Sequence, residues 1–282
     1  MSTSGRFTDL VGCELPLQLA AMGGVGTTEL AAAVIGAGGM GMVPSGAQPT
    51  AGACGVNFLL PFQPSLADIG EAARGFRVVE FFYDEPRADV VEAAHGGGAL
   101  VGWQVGHVTE AVDAEEAGCD YVVAQGIEAG GHVRGAQRLD EVLPAVLAAV
   151  RIPVVAAGGV ASAERFAEAI RMGADAVRVG TRFVTAHESA AHPEYVRRLL
   201  AAGADDTELT EWFGENWESA PHRVLRGALD AARASGWRAP VPPHRDVDRD
   251  PTDMAMYAGT GVASIVEAQP AAAIVADLVR LL

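Results

Sequence analysis

Gln125-Gly126-Ile127-Glu128-Ala129-Gly130-Gly131-His132 follows the short apolar run Tyr121-Val122-Val123-Ala124. An apolar run of this length that passes into a glycine-rich loop reads as a parallel strand buried on both faces. The glycines remove side-chain bulk and allow positive φ, so backbone N–H groups there can approach a ligand. His132 adds a group able to change charge near neutral pH. Two more loops of the same design follow. Pro153-Val154-Val155-Ala156-Ala157-Gly158-Gly159-Val160 is an apolar strand entering Gly-Gly, after which Ser162 caps a helix over 163–172. Ala176-Val177-Arg178-Val179-Gly180-Thr181-Arg182-Phe183 is a strand passing through Gly-Thr into a short helix.

Helix N-termini carry unpaired N–H groups and partial positive charge, so two of them side by side make an anion site. Consecutive loops of this kind after the last strands of a (β/α)₈ barrel form its usual phosphate cradle. The plainer alternative is that they are ordinary βα turns of an α/β domain. The rest of the chain favours the barrel. Strand patterns fall at 17–21, 41–43, 55–59, 78–82, 99–104, 121–125, 153–156 and 176–179. Helical patterns lie between most of them, at 28–35, 66–73, 87–95, 109–117, 138–150 and 163–172. Alternating β and α with short links gives a parallel sheet, and eight repeats close it into a TIM barrel. The link 44–54 is too short for a crossover helix. We assign 1–189 plus 260–282 to the barrel. Residues 190–259 form a small, mostly helical cap inserted before the last helix, with Thr207–Phe213 as a strand or arm and Trp212, Trp217 and Trp237 clustered in it.

These loops resemble the nitronate monooxygenase family, once called 2-nitropropane dioxygenases. Its relatives include NADH:quinone reductases and FMN-dependent enoyl-acyl-carrier-protein reductases. Pro16–Gly24 resembles the family's first strand and flavin-covering turn, Cys54-Gly55-Val56-Asn57 its Gly-Val-Asn strand, and Tyr257-Ala258-Gly259 its C-terminus. The resemblance implies an FMN-dependent TIM-barrel oxidoreductase with His132 as the catalytic histidine. Tyr83-Asp84-Glu85-Pro86 stands where the family tends to have Gly-x-Pro, and Thr260 where it commonly has glutamine. Tyr83, Tyr257 and Thr260 are therefore expected in the substrate pocket, with a bulkier mouth.

FMN needs a phosphate cradle, an apolar bed and hydrogen bonds along its pyrimidine edge. Gly158, Gly159, Gly180 and Thr181 supply the cradle, with Gly130, Gly131 and Ala157 beside it. Ala21, Met22 and Gly23 lie against the ring system. Asn57, Gln104 and Gln125 offer amides, which both donate and accept. Gln104 stands near where some relatives place a lysine, so the reduced flavin is expected to be less favoured here unless an arginine is close. Glu128 is read as tying down loop N–H groups. His107, His187, His192, His222 and His244 lack paired ligand spacing and are surface or packing residues, so no metal site is expected.

The chain has 282 residues, 50% of them hydrophobic, enough for one barrel core. Its formal net charge of −16 argues against nucleic-acid or anionic-membrane partners. None of its 20 basic residues is lysine. Cys13, Cys54 and Cys119 lie far apart and read as free thiols. The first residues lack a signal-peptide apolar run, and the expected compartment is the cytoplasm. The expected partners are a small-molecule substrate and O₂; a homodimer is left open. Three functions follow in order: oxidation of alkyl nitronates by O₂, NAD(P)H-driven reduction of a quinone or enoyl thioester, and a non-redox barrel that binds a phosphate-bearing ligand.

Overall fold

The structure is a computed structural model and describes residues 5–282. Its centre is a ring of parallel strands: β1 (Leu17–Leu19), β2 (Gly41–Pro44), β3 (Cys54–Leu59), β4 (Val78–Phe82), β5 (Leu100–Val105) and β6 (Tyr121–Gln125). After the two-residue strand β7 (Gly131–His132), the ring is completed by β8 (Val154–Ala157) and β9 (Ala176–Val179). The order around the ring is β1-β9-β8-β6-β5-β4-β3-β2, and a parallel bridge between Gln18 and Met40 closes it. This is the expected TIM barrel, and each of the eight strands falls where the apolar runs place it.

The outer layer forms where the helical patterns stand. It comprises α2 (Thr28–Gly36), α3 (Leu66–Ala73), α4 (Ala88–Gly96), α5 (Val108–Glu116), α6 (Leu139–Ala149) and α7 (Ala163–Arg171), preceded by α1 (Arg6–Val11). Thr27, Ser65 and Ser162 cap α2, α3 and α7 through their hydroxyls, which accept from the N–H three residues on. His107 caps α5 in the same manner through Nδ1. Between β2 and β3 there is no helix among the described residues, as the short link requires. The last helix, α11 (Ala271–Val279), closes the ring by packing against α2 and α7.

Between α8 (Thr181–Val184) and α11 the chain forms α9 (Pro193–Ala201), β10 (Thr207–Thr210), β11 (His222–Leu225) and α10 (Arg226–Ser235). β10 and β11 are antiparallel, and β11 also pairs with β7, His222 opposite His132. The segment thus carries two α-helices, as its helical patterns suggest, and in addition a small antiparallel sheet. Its sheet takes its third strand from the barrel loop after β6. No helix among the described residues is long and apolar enough to cross a membrane.

α1 seals the barrel from below. Phe7 is fully buried with its ring edge-on to Tyr121, centroids 5.4 Å apart. Arg6 anchors the helix to Asp175 at 2.6 Å, and Arg77 donates to the Leu10 carbonyl at 2.7 Å. Tyr121 lies across the barrel over Gly102, where a Cβ would overlap the phenol ring. The ring cannot step aside, because its hydroxyl donates to Glu80 at 2.9 Å and Phe7 fills the space beneath. Gly102→Ala should therefore lower unfolding stability by about 1–3 kcal/mol, the usual cost of overpacking, when urea midpoints are compared.

Candidate active site

A cavity of about 810 Å³ opens over the C-terminal ends of the strands, the face on which TIM barrels place their sites. Ala21, Met22 and Gly23 line it after β1, Asn57 at β3, Gln104 at β5 and Gln125 at β6. The loop after β6 brings Gly130, Gly131 and His132; β8 brings Ala157, Gly158 and Gly159; β9 brings Gly180 and Thr181. Tyr257 also reaches the wall. Tyr83 and Thr260 do not line the cavity. Tyr83 stands behind Trp217, 4.8 Å away and edge-on, with left-handed backbone at φ 74°. The Thr260 N–H donates to the Glu128 carbonyl at 3.0 Å.

The floor is polar, although parallel strands buried on both faces are normally apolar. Arg178 starts on β9, but its guanidinium crosses the barrel. Nε and Nη2 donate to Gln18 Oε1 at 3.0 and 2.9 Å, Nη1 donates to Gln104 Oε1 at 2.5 Å, and Nη2 pairs with Glu80 Oε2. Glu80 is 0% exposed, and its other oxygen accepts from Asn57 Nδ2 at 3.2 Å. Sequence reasoning did not single out Gln18, Glu80 or Arg178 as site residues. Arg178 is the nearby arginine that the expectation for Gln104 left open, so the stated ground for a less favoured reduced flavin does not hold here.

Gln125 is occupied by the loop. Its Nε2 donates to the His132 carbonyl at 2.9 Å, and its Oε1 accepts from the Arg134 N–H at 3.1 Å. Those bonds, together with the β7–β11 pairing, hold His132 at the cavity edge. Trp217 stacks on the imidazole, centroids 3.9 Å apart and planes 22° apart. Trp217 thus leaves the expected tryptophan cluster; Trp212 and Trp237 stay together, the Trp212 indole donating to the Trp237 carbonyl at 2.8 Å. His222 lies 5.2 Å from His132. Its Nε2 accepts from the Phe213 N–H at 3.2 Å, which leaves Nδ1–H to donate to the Ala220 carbonyl at 2.8 Å. His222 is therefore a neutral packing residue of fixed tautomer, held below the usual histidine range by burial.

His132 Nε2 is buried and has no partner among the described residues. Burial, with His222 beside it, pushes the imidazole down to about 3. At neutral pH the ring offers hydrogen bonding and no charge. Glu128 accepts from the Leu139 N–H at 3.0 Å and so ties the loop to the start of α6.

Opposite the floor, the Gly158-Gly159 turn runs through φ 118° and 68°, values that L side chains rarely adopt. A Cβ on Gly159 would stand 3.0 Å from Glu128 Cβ and 3.1 Å from Thr260 Oγ1. Gly158 and Gly159 follow the end of β8, and Gly180 and Thr181 stand where β9 passes into α8, whose first N–H groups have no partner within the helix. The Thr181 hydroxyl accepts from the Gly259 N–H at 3.0 Å and fixes the neighbouring loop. No cluster of metal-ligating side chains occurs among the described residues.

Residues 66–280 match the nitronate monooxygenase family. A (3aS,4S,5R,7aS)-5-hydroxy-7a-methyl-1-oxo-octahydro-1H-indene-4-carboxyl-CoA dehydrogenase of Mycobacterium tuberculosis is 33% identical, the match covering 82% of this chain and 69% of that protein. Matches to two other relatives span 60% and 65% of their lengths. A nitronate monooxygenase of Pseudomonas aeruginosa is 32% identical over 80% of this chain and 82% of its own. The structure of FabK from Thermotoga maritima superposes with a TM-score of 0.85 at 30% identity, covering 98% of this chain and 95% of that one.

The folded-state value of His132 lies below the 6.5 of a free imidazole. An unfolded chain therefore takes up a proton on His132 as pH falls through 6.5, and the folded chain does not until about 3. Its contribution to stability is complete above that window and is lost progressively within it. Ring ¹⁵N shifts of His132 should stay those of a neutral imidazole from about pH 8 to about pH 4, measured by NMR on selectively labelled protein. Titration near the free value would contradict the buried geometry.

Proposed function

We propose, for a chain that belongs to the nitronate monooxygenase family of oxidoreductases, an FMN-dependent oxidation of small alkyl nitronates by O₂ to a carbonyl compound and nitrite. The residues fit FMN. The glycine turns after β8 and β9 put bare backbone on the cavity wall, where N–H groups can approach a phosphate. Ala21–Gly23 offer a thin strip for a flat ring, and Asn57 and Gln104 offer polar atoms at the floor. Bound FMN would supply the two-electron chemistry that these side chains lack.

The observation that carries the reading is His132, whose buried Nε2 lacks a partner at the edge of this cavity. An unmet hydrogen-bonding atom in a dry position is costly unless a ligand completes it. Neutral imidazole holds a nitro oxygen by a hydrogen bond and leaves the substrate's charge to be balanced elsewhere. Trp217, stacked on the ring, fixes its plane and keeps water from one face.

A second reading, reduction of a quinone or enoyl thioester by NAD(P)H, is favoured by the likeness to a carboxyl-CoA dehydrogenase. Among the described residues Arg178 is the one guanidinium of the lining, and it sits at the floor rather than the rim.

Anaerobic mixing separates the two. A nitronate should bleach the bound flavin rapidly and NADH or NADPH slowly; the reverse order would establish the second reading. His132→Ala should keep FMN and lower the rate of bleaching by a factor of about 10² or more. Gly159→Val should lose FMN on gel filtration while remaining folded, because its side chain would occupy the turn against Glu128 and Thr260.

A further inference from the structure

The buried floor network does more than fill the barrel. An ion pair sealed among strands is weak evidence for stability, since well-packed apolar residues in its place are often as good or better. What Glu80 and Arg178 do is dictate which atom each neighbouring amide has left. Arginine carries five N–H donors and no acceptor. Four are engaged here: Nε–H and one Nη2–H on Gln18, the other Nη2–H on Glu80, and one Nη1–H on Gln104. The second Nη1–H remains, and Arg178 lines the cavity.

Because Gln104 Oε1 faces a guanidinium, the amide cannot turn its NH₂ that way, and its Nε2 is the atom left for a ligand. Asn57 is set the opposite way. Its Nδ2 donates to Glu80, so its Oδ1 is the atom left over. The carboxylate lies deepest, at 0% exposure and outside the lining, whereas the guanidinium is 7% exposed and within it. The pair therefore shows its positive end to the cavity.

We propose that Glu80 and Arg178 fix the polarity of the floor, Arg178 and Gln104 as donors and Asn57 as acceptor, for the pyrimidine edge of the flavin, with Arg178 as the cation against its carbonyl. The inference rests on the FMN reading above. The pyrimidine edge presents acceptor, donor, acceptor in its C2 carbonyl, N3–H and C4 carbonyl, the complement of such a floor. Arg178 thereby takes the electrostatic place that a lysine at position 104 would hold, from a different strand, and stabilises negative charge on the pyrimidine. Glu80 is a positioning residue that acts through Arg178 and Asn57.

The test uses the FMN-loaded protein, sulfite, and FMN methylated at N3. Sulfite binding to oxidised flavin places negative charge on the ring, so its affinity reports a nearby cation apart from turnover. Arg178→Gln should weaken sulfite binding at least about tenfold and lower the flavin potential, and Arg178→Lys should restore most of both. Arg178→Gln strands a buried carboxylate, so the neutral pair Glu80→Gln/Arg178→Gln is measured beside it, with thermal unfolding as the check on folding. Wild-type protein should bind N3-methyl-FMN about tenfold more weakly than FMN, since the methyl group leaves Asn57 Oδ1 unpaired. Wild-type sulfite affinity and potential in the folded double variant, or equal affinity for the two flavins, would overturn the inference while leaving FMN binding in place. Wild-type protein that takes up no FMN would overturn the reading beneath it, and the inference with it.

Discussion

Burying one guanidinium inside the barrel constrains every residue around it. Arg178 leaves β9 and reaches partners on β1, β4 and β5, so strands far apart in the chain answer to one charge. A charge in that position is tolerable only when paired and fully hydrogen-bonded. Glu80 meets the first demand, and Gln18 and Gln104 take three of the other four N–H groups, leaving one on Nη1. Tyr121 joins from below through the same carboxylate, which links the polar layer to the Phe7–Tyr121 contact that closes the barrel. Loss of any member leaves another without its partner at a buried position.

The second organising contact is the pairing of β7 with β11. A loop rich in glycine would not by itself hold a histidine in one pose. Here the backbone of His132 is fixed on one side by His222 in the antiparallel ladder and on the other by the Gln125 amide. The segment between α8 and α11 is thus built into the cavity wall, and its Trp217 supplies the surface on which the imidazole lies. Tyr83 supports that tryptophan from behind, which accounts for a bulky residue at a left-handed backbone position.

The barrel was legible because its signals are local. Apolar runs ending in Gly-Gly, Gly-Thr or an amide announce buried strands and their ligand-facing turns within eight residues of chain. Arg178 and Glu80 were not read, because their meaning lies in a contact 98 positions apart. A clue was present: each is the lone charge in an otherwise apolar strand, where burial on both faces ought to exclude it. β7 has two residues and a partner about ninety positions away, so no periodicity could mark it. Trp217 was placed by composition with the other tryptophans, and composition carries no direction.

The seal made by α1 has a consequence for proton traffic. Phe7, at 0% exposure beneath Tyr121, closes off the lower end of the barrel under the polar layer. His132 and the amides of the floor meet solvent at the cavity above them. A bound ligand then acts as a stopper. While it stayed, exchange of the Tyr121 hydroxyl and the Arg178 N–H groups with solvent would follow the opening of the molecule.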